Sequence, residues 1–262
     1  MRTGFSRIKE YMDFKSFNLH PKIAAGVIDA GFTTPTPIQA ESIPKIMQHR
    51  DVMGLAQTGT GKTAAFGLPI LHQLMNGKRG SVRALIVAPT RELAEQIHES
   101  LSMLGKQSGL RSVTVYGGVG INPQITKLKR GAEIVVACPG RLLDHIKQAT
   151  IDLSHLDVLV LDEADRTFDM GFLPDIRRII KAIPAQRQTL LFSATMPKEI
   201  RHLAKEVLKN PETVQVDTIA PPVTVSHALY PVPHHLKTDL LIKLLEQTLS
   251  LIHISEPTRP PV

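Results

Sequence analysis

The chain has 262 residues, with 31 lysine and arginine residues against 24 aspartate and glutamate residues, so its formal net charge is +7 when histidine is neutral. Apolar residues make up 42% of the sequence and charged residues 21%, values typical of a globular protein, which excludes a disordered or fibrous chain. The single cysteine, Cys138, excludes an intramolecular disulfide framework and a zinc site built from thiolates, and it indicates a reducing compartment such as the cytoplasm.

Short apolar runs alternate along the chain with stretches that carry apolar residues at helical spacing. The runs predict β-strands at residues 51–56, 83–88, 112–116, 133–138, 157–161, 188–192 and 213–216. The stretches between them predict helices at residues 63–75, 91–105, 121–130, 141–148, 173–182 and 198–210. This alternation is typical of an α/β domain in which a mostly parallel sheet is covered by helices on both faces.

The pattern changes after the last of these strands. An Ala-Pro-Pro sequence at residues 220–222 predicts a linker, and a strand at residues 223–231 and an amphipathic helix at residues 236–248 are predicted to follow. The tail fits no element, and most of it matches the translation of a transposase library adapter, so we expect it to be foreign to the fold. The expected organisation is a leader at residues 1–11, a main domain at 12–219, a linker with the start of a second domain at 220–248, and the tail at 249–262.

A glycine-rich segment, AQTGTGKT at residues 56–63, follows the first predicted strand and opens the next helix. In this context backbone N–H groups cradle phosphates, Lys62 reaches the β- and γ-phosphates, and the Thr63 hydroxyl holds Mg²⁺. Ala56 stands where the strict pattern has its first glycine, and a glycine-rich turn without a ligand is the alternative. The predicted phosphate-binding residues are Gln57, Thr58, Gly59, Thr60, Gly61, Lys62 and Thr63.

Two carboxylates follow the buried strand that is predicted at residues 157–161. Asp162 is placed to hold Mg²⁺, largely through water, and Glu163 to orient and deprotonate an attacking water molecule. Paired carboxylates are also common at solvated strand ends, but together with the phosphate loop they predict nucleotide hydrolysis. The predicted catalytic residues are therefore Lys62, Asp162 and Glu163.

Residues 162–165 spell DEAD, and at this point the sequence resembles the DEAD-box RNA helicases, in particular the bacterial members. The sequence GFTTPTPIQ at residues 31–39 matches the Q motif, which we place within residues 12–40. The resemblance implies that Gln39 binds the adenine edge and that Phe14 stacks on the ring, so that ATP is the substrate. An amide suits adenine because it offers one donor and one acceptor.

Three further segments, at residues 89–94, 117–118 and 138–141, resemble family motifs that contact the backbone of one RNA strand. Small residues, helix N-termini and arginine side chains suit such contacts, which carry no base identity, although each segment alone is equally typical of an ordinary strand–helix turn. The family usually has threonine in place of Cys138, and because a thiol is a poor donor we expect a weakened but tolerated contact. The RNA-binding residues implied by the resemblance are Pro89, Thr90, Arg91, Gly117, Gly118, Cys138, Pro139, Gly140 and Arg141.

The sequence Ser-Ala-Thr at residues 193–195 resembles motif III, which in the family couples hydrolysis to strand separation. We expect Asp165 to bond with Ser193 and Thr195. The resemblance implies a RecA-like domain, the first of two that ATP and RNA close together in an ATP-dependent RNA helicase. The arginines that complete the γ-phosphate site belong in the family to the second domain, so the chain alone is expected to bind nucleotide weakly, to hydrolyse ATP poorly and to unwind no duplex.

Two other functions remain open at this point: a DNA-directed motor or another P-loop ATPase, and a non-catalytic RNA-binding module gated by nucleotide. No run approaches the ~18 apolar residues of a membrane span, so no membrane partner is expected. The resemblance implies RNA and a second RecA-like domain as partners, and we expect the chain to be a monomer. The cations Lys198, Arg201, Lys205 and Lys209 recur at helical spacing and could face nucleic acid, but such a row is more typical of a solvated helix face.

Overall fold

The computed structural model describes residues 13–216 and 228–247. The predicted leader, linker and tail lie outside the described residues, as does most of the strand predicted at residues 223–231, whose described part has no regular secondary structure. The chain divides into two compact units, one within residues 1–218 and one within residues 219–262. Among the described residues, no helix is long and apolar enough to cross a membrane.

The first unit is built on one parallel sheet of seven strands, in the order β3-β4-β2-β5-β6-β1-β7. The strands β2, β4 and β5 are buried at every residue and read as continuous apolar runs, as expected for parallel strands covered on both faces. Every strand expected in this unit is confirmed within one or two residues. The strands are β1 Val52–Leu55, β2 Ala84–Val87, β3 Ser112–Val115, β4 Ile134–Ala137, β5 Val158–Leu161, β6 Gln188–Ser193 and β7 Glu212–Gln215.

Helices pack on both faces of the sheet and bury two separate apolar layers. Alternate strand residues enter opposite layers: Ile86 and Val160 lie in one layer, and Leu85 and Leu159 lie in the other. The helices are α1 Pro21–Asp29, α2 Pro37–Met47, α3 Lys62–Leu74, α4 Arg91–Leu104, α5 Ile121–Lys129, α6 Pro139–Lys147, α7 Ala164–Asp169, α8 Leu173–Lys181 and α9 Lys198–Val207, with α10 Lys237–Gln247 in the second unit. Short 3₁₀ helices cover Phe14–Phe17 and His234–Leu236.

The helix predicted at residues 198–210 is too long, because α9 ends at Val207 and Leu208 has an extended backbone. Lys209 therefore does not continue the row of cations on α9. Its backbone N–H donates to Asp51 Oδ2 at 2.6 Å, and its Nζ donates to the Ala185 carbonyl at 2.8 Å. Lys209 instead connects its own loop to Asp51, just before β1, and to Ala185, in the loop before β6.

Asp51 connects three elements at the amino end of the sheet. This buried side chain accepts from the backbone N–H of Thr189 at 2.8 Å through Oδ1 and from that of Lys209 through Oδ2, while its carbonyl accepts from Glu212 N at 2.8 Å. The carboxylate thus satisfies two backbone donors that would otherwise be buried without partners.

Replacement of Asp51 with alanine should lower the free energy of unfolding by about 2–4 kcal/mol, because two backbone N–H groups lose a charged acceptor. Asp51→Asn keeps one acceptor and should lose less. Asp29→Ala is a suitable control, since that exposed side chain has one bond, to Gln107. Urea denaturation gives the values, and an Asp51→Ala midpoint equal to that of wild type would contradict this role.

Candidate nucleotide site and nucleic-acid surface

The phosphate loop connects β1 to α3 and is closed by bonds within itself. The Lys62 side chain, only 6% exposed, donates from Nζ to the Ala56 carbonyl at 3.0 Å, and Thr60 Oγ1 donates to the Gln57 carbonyl at 2.7 Å. Thr63 lies in the first turn of α3. Lys62 is therefore already directed into the loop, toward the place where phosphates are expected.

Gly61 is the residue of the loop that is least open to substitution. Its φ is +91°, and a Cβ there would lie 2.4 Å from Gln39 Nε2. Gln39 Nε2 donates to the Gly61 carbonyl at 3.1 Å, and its Oε1 accepts from the Thr36 N–H at 3.0 Å. Gln39 thus joins the start of α2 to the phosphate loop. The Thr36-x-x-Gln39 pattern indicates the bond to Thr36, which is part of a capping box, but not the bond to Gly61.

Phe14 lies beside the segment that matches the Q motif. Its ring centroid is 5.9 Å from that of Phe32 and 5.8 Å from that of Phe17, and the residue is 6% exposed. The structure therefore brings Phe14 to the Q-motif segment, with its ring packed in a small aromatic group.

Asp162 follows β5 directly and is fully buried. Its Oδ1 accepts from the Glu163 N–H at 2.9 Å. Burial raises the pKa of Asp162 to about 6, although the nearby Lys62 ammonium and that hydrogen bond act in the opposite direction. Because β5 and β1 are separated only by β6 in a parallel sheet, Asp162 and the phosphate loop lie at the same edge.

Glu163 has a left-handed backbone, with φ +45° and ψ 54°, and caps α7. This conformation is uncommon for a residue other than glycine, and such strain is concentrated at functional sites. Its Oε1 accepts from Thr58 Oγ1 at 3.2 Å, and its Oε2 pairs with Arg166 at 3.3 Å. The carboxylate is therefore aimed at the phosphate loop, as the sequence predicts for a group that activates water there.

The segment at residues 193–195 bonds to Asp165 on α7. Thr195 donates to Asp165 Oδ2 from N at 2.8 Å and from Oγ1 at 2.9 Å, and Ser193 Oγ accepts from Asp165 N at 3.2 Å. Burial raises the pKa of Asp165, but these hydrogen bonds outweigh burial and hold it below its usual value. The predicted bonds of Asp165 to Ser193 and Thr195 are confirmed.

The donor set at the phosphate loop fits Mg²⁺. Asp162 offers a carboxylate and Thr63 a hydroxyl, both oxygen ligands of the kind that Mg²⁺ takes while it keeps several water molecules. Within the described ranges, no group of three acidic, histidine or cysteine residues forms a protein cage for a metal. These residues therefore suit an ion that arrives with nucleotide phosphates.

The three segments predicted to bind RNA meet at the carboxyl edge of β2, β3 and β4. Each strand leads into a helix there: Thr90 caps α4 and accepts from Leu93 N at 3.3 Å, Gly120 caps α5, and Cys138 caps α6, with Pro139 at the first helical position and Gly140 next. The N-termini of three helices at one edge favour bound anions. This surface therefore suits a phosphate backbone.

The two arginines of this surface differ in their surroundings. Arg91 has a side chain that is 53% exposed, and its Nε pairs with the neighbouring Glu92 at 3.5 Å. It lies close to Gly118, since a Cβ on that glycine would be 3.9 Å from Arg91 Nη1. Arg141 has a side chain that is 14% exposed, donates to the Val119 carbonyl at 2.9 Å and pairs with Asp144 at 3.5 Å. Arg91 is thus exposed and paired only with an exposed carboxylate, which phosphate can replace, whereas Arg141 holds the loop that contains Gly117 and Gly118.

Cys138 gives α6 no side-chain cap. Burial raises the pKa of its thiol to about 11, and the charge of Glu92 acts in the same direction. The group is therefore a neutral thiol at physiological pH. The backbone N–H groups at the start of α6 receive no bond from this side chain.

The family model for DEAD/DEAH box helicases matches residues 36–203. The chain belongs to this helicase family. The ATP-dependent RNA helicase CshA of Listeria monocytogenes is 50% identical over 203 residues, which are 78% of this chain and 39% of that protein. The DEAD-box ATP-dependent RNA helicase CshA of Geobacillus kaustophilus is 45% identical over 234 residues, 89% of this chain and 50% of that protein. The chain thus spans half or less of these relatives.

Two solved structures share the fold of this chain. A DEAD box protein from Methanococcus jannaschii superposes with a TM-score of 0.76 at 36% identity, covering 90% of this chain and 64% of that one. A hypothetical ATP-dependent RNA helicase from Sulfolobus tokodaii gives a TM-score of 0.70 at 39% identity, covering 76% and 57%. The RecA-like α/β fold expected from the sequence is confirmed.

Gly61→Ala should weaken nucleotide binding by about tenfold or more, because the new methyl group combines an unfavourable φ with a clash against Gln39. Gly59→Ala is the matched control: its φ is +84°, but nothing lies within 4 Å of a Cβ there, so it should lose less. Titration with a fluorescent ADP analogue measures both variants. Equal losses in the two would show that the clash with Gln39 is unimportant.

Asp162→Asn should stabilise the folded chain at pH 8 by about 1–3 kcal/mol, since it keeps the acceptor for Glu163 N and removes a buried charge. Between the usual pKa of 3.8 and the raised pKa of about 6, the folded state keeps a proton on Asp162 that the unfolded state has released. The free energy of unfolding therefore falls as the pH rises through this range, and above about pH 6 this contribution is constant. Urea midpoints of both proteins at pH 5 and pH 8 measure the difference. A less stable variant at pH 8 would refute this account.

Proposed function

We propose that this chain is the ATP-binding and ATP-hydrolysing RecA-like domain of an RNA helicase. The observation that carries the proposal is the meeting of Lys62, Asp162 and Glu163 at one edge of the sheet, with Thr58 bonded to Glu163. The names of the curated relatives, which are ATP-dependent RNA helicases, support the same conclusion.

In this proposal the chain contacts both the adenine base and the phosphates of ATP. Gln39 presents its amide to the adenine edge, and Phe14 supports the ring, while the phosphates lie on the loop N–H groups at the start of α3. Lys62 Nζ then exchanges its bond with the Ala56 carbonyl for the β- and γ-phosphates. Thr63 and Asp162 would hold Mg²⁺, largely through water, and the ion would neutralise phosphate charge.

Glu163 is the proposed base. Its carboxylate orients the attacking water and accepts a proton from it when the hydroxyl of Thr58 and the guanidinium of Arg166 no longer occupy its oxygens. The positive φ of Glu163 fixes where that carboxylate points. Asp165 lies two residues later, so its bonds to Thr195 and Ser193 form the proposed link between hydrolysis and strand separation.

RNA is the proposed second ligand, bound through its phosphates at the carboxyl edge of β2, β3 and β4. Helix N-termini and the exposed Arg91 contact the backbone there and carry no base identity. Unwinding is proposed only together with a second RecA-like domain, whose arginine can contribute about 10³–10⁵ in rate in related phosphoryl transfer. The 262-residue chain alone is proposed to be a monomer that hydrolyses ATP slowly in the cytoplasm.

Glu163→Gln should abolish the residual hydrolysis of ATP by the chain and leave nucleotide affinity within about twofold, because glutamine keeps the shape but accepts no proton. Single-turnover hydrolysis with the protein in excess, with single-stranded RNA present, measures the chemical step, and a fluorescent ATP analogue measures binding. Glu99→Gln, on the exposed face of α4, is the matched control. Unchanged turnover in Glu163→Gln would contradict the assignment of Glu163 as the base. If the wild-type chain hydrolyses no ATP, the non-catalytic RNA-binding module gated by nucleotide becomes the favoured function.

A further inference from the structure

A groove of about 520 Å³ lies along β3, the strand at one edge of the sheet. Its floor is formed by residues 112–114, one wall by the second half of α4 and the turn after it, and the other wall by the end of α5. The groove shares no lining residue with the nucleotide site or with the three segments predicted to bind RNA. It is thus a separate feature of the same unit.

Four cations line this groove: Lys106, Arg111, Lys127 and Arg130. All four are exposed, and within residues 13–216 and 228–247 none of them forms an ion pair. The lining contains no aspartate or glutamate. The groove therefore carries positive side chains that form no ion pair among the described residues, which favours an anionic ligand.

Hydroxyl groups complete the groove where its floor meets α4. Ser112 Oγ lies 2.6 Å from His98 Nδ1 and 3.4 Å from Ser102 Oγ. Hydroxyls and cations together are the groups that bind phosphate oxygens. The lining has no phenylalanine, tyrosine or tryptophan, and its one aromatic ring, the imidazole of His98, is bonded to Ser112. The groove therefore offers mainly phosphate contacts.

The chain path connects the groove to the proposed RNA surface. β3 begins at Ser112 in the groove and leads to Gly117 and Gly118 at the carboxyl edge, about 17 Å away at roughly 3.3 Å per residue. A strand of RNA held at that edge reaches the groove within a few nucleotides.

An added peptide strand fits this edge poorly. β3 has only four residues, and the carbonyl of Tyr116 beyond it already accepts from Gln124 Nε2 at 3.1 Å. Backbone pairing along the edge would therefore be short, whereas phosphates need only the cations and hydroxyls. These observations favour RNA over an acidic peptide.

We propose that the groove over β3 is an auxiliary site for the phosphate backbone of single-stranded RNA that flanks the segment held at the carboxyl edge of the sheet. The proposal rests on the proposed function, because it takes RNA as the ligand of that edge. Each cation neutralises one phosphate of the RNA, and the hydroxyl groups donate hydrogen bonds to phosphate oxygens. Binding in the groove is independent of base sequence and sensitive to salt.

The test compares two RNA lengths with two charge variants of the 262-residue chain. A mixed-sequence RNA of about 6 nucleotides spans only the edge, and one of about 20 nucleotides also reaches the groove. The groove variant replaces its four cations with glutamine. The control variant makes the same change in charge at exposed cations that form no ion pair among the described residues: Lys22, Lys147, Lys181 and Lys205.

Fluorescence anisotropy over a salt series gives the affinities. The groove variant should lose about 10- to 100-fold in affinity for the long RNA and less than about twofold for the short one, and its salt slope with the long RNA should fall by about 2–3. Equal affinity of wild type for both lengths, or an equal loss in the control variant, overturns the groove site. Failure of wild type to bind either RNA means that the RNA part of the proposed function fails instead.

Two further measurements test where the long RNA lies and whether the groove binds an acidic peptide instead. A long RNA with a photoreactive base near either end should crosslink in wild type to peptides that contain residues 98–114 or 127–131, whether or not the groove variant folds. Crosslinks confined to the carboxyl edge overturn the proposal. An unchanged affinity of the groove variant for long RNA, with loss of binding to a poly-glutamate probe, would assign the groove to an acidic protein segment and also overturn it.

Discussion

The parallel pairing of all seven strands is the constraint on which the rest of this domain depends. Because every strand runs in the same direction, every loop that follows a strand emerges at one edge. The strand order then divides that edge into two halves. The neighbouring strands β5, β6 and β1 carry the acidic pair, Ser193 and the phosphate loop, whereas β3, β4 and β2 carry the segments proposed to bind RNA. The two halves adjoin where β2 pairs with β5.

The nucleotide half contains internal bonds that the base and the phosphates of ATP must replace. Lys62 is bonded to the Ala56 carbonyl, Thr58 to Glu163, and Gln39 to Gly61. The side-chain donors of the loop therefore have partners, which is how a buried lysine can lie among backbone groups without a large desolvation penalty. The backbone N–H groups of residues 57–61 donate to no described residue and are left for the phosphates. ATP binding then exchanges one set of hydrogen bonds for another, so that its net free energy reflects the stronger charge-assisted bonds to phosphate.

The sequence allowed the strands to be predicted because parallel strands covered on both faces are continuous apolar runs, but it concealed three helices. α2 contains Pro44 in its interior, α1 contains Gly26, where a Cβ would lie 2.0 Å from the Leu104 carbonyl, and α7 has only six residues. The site residues were predictable by type and spacing. The bond of Gln39 to Gly61 and the loop-holding role of Arg141 were not, because both depend on distances between segments that only the folded sheet brings together.

The short helix α7 is fixed at its first turn from two sides. Glu163, which caps it, contacts the phosphate loop through Thr58, and Asp165 within that turn is bonded to Thr195 and Ser193 at the tip of β6. A shift at the tip of β6 that keeps these bonds must therefore turn the start of α7 and move the Glu163 carboxylate. Since Glu163 already has a left-handed backbone, its position depends on the bonds around it rather than on its own conformational preference. The proposed coupling of hydrolysis to strand separation thus needs no long pathway, because a single residue, Ala164, separates the base from the group that is bonded to the end of β6.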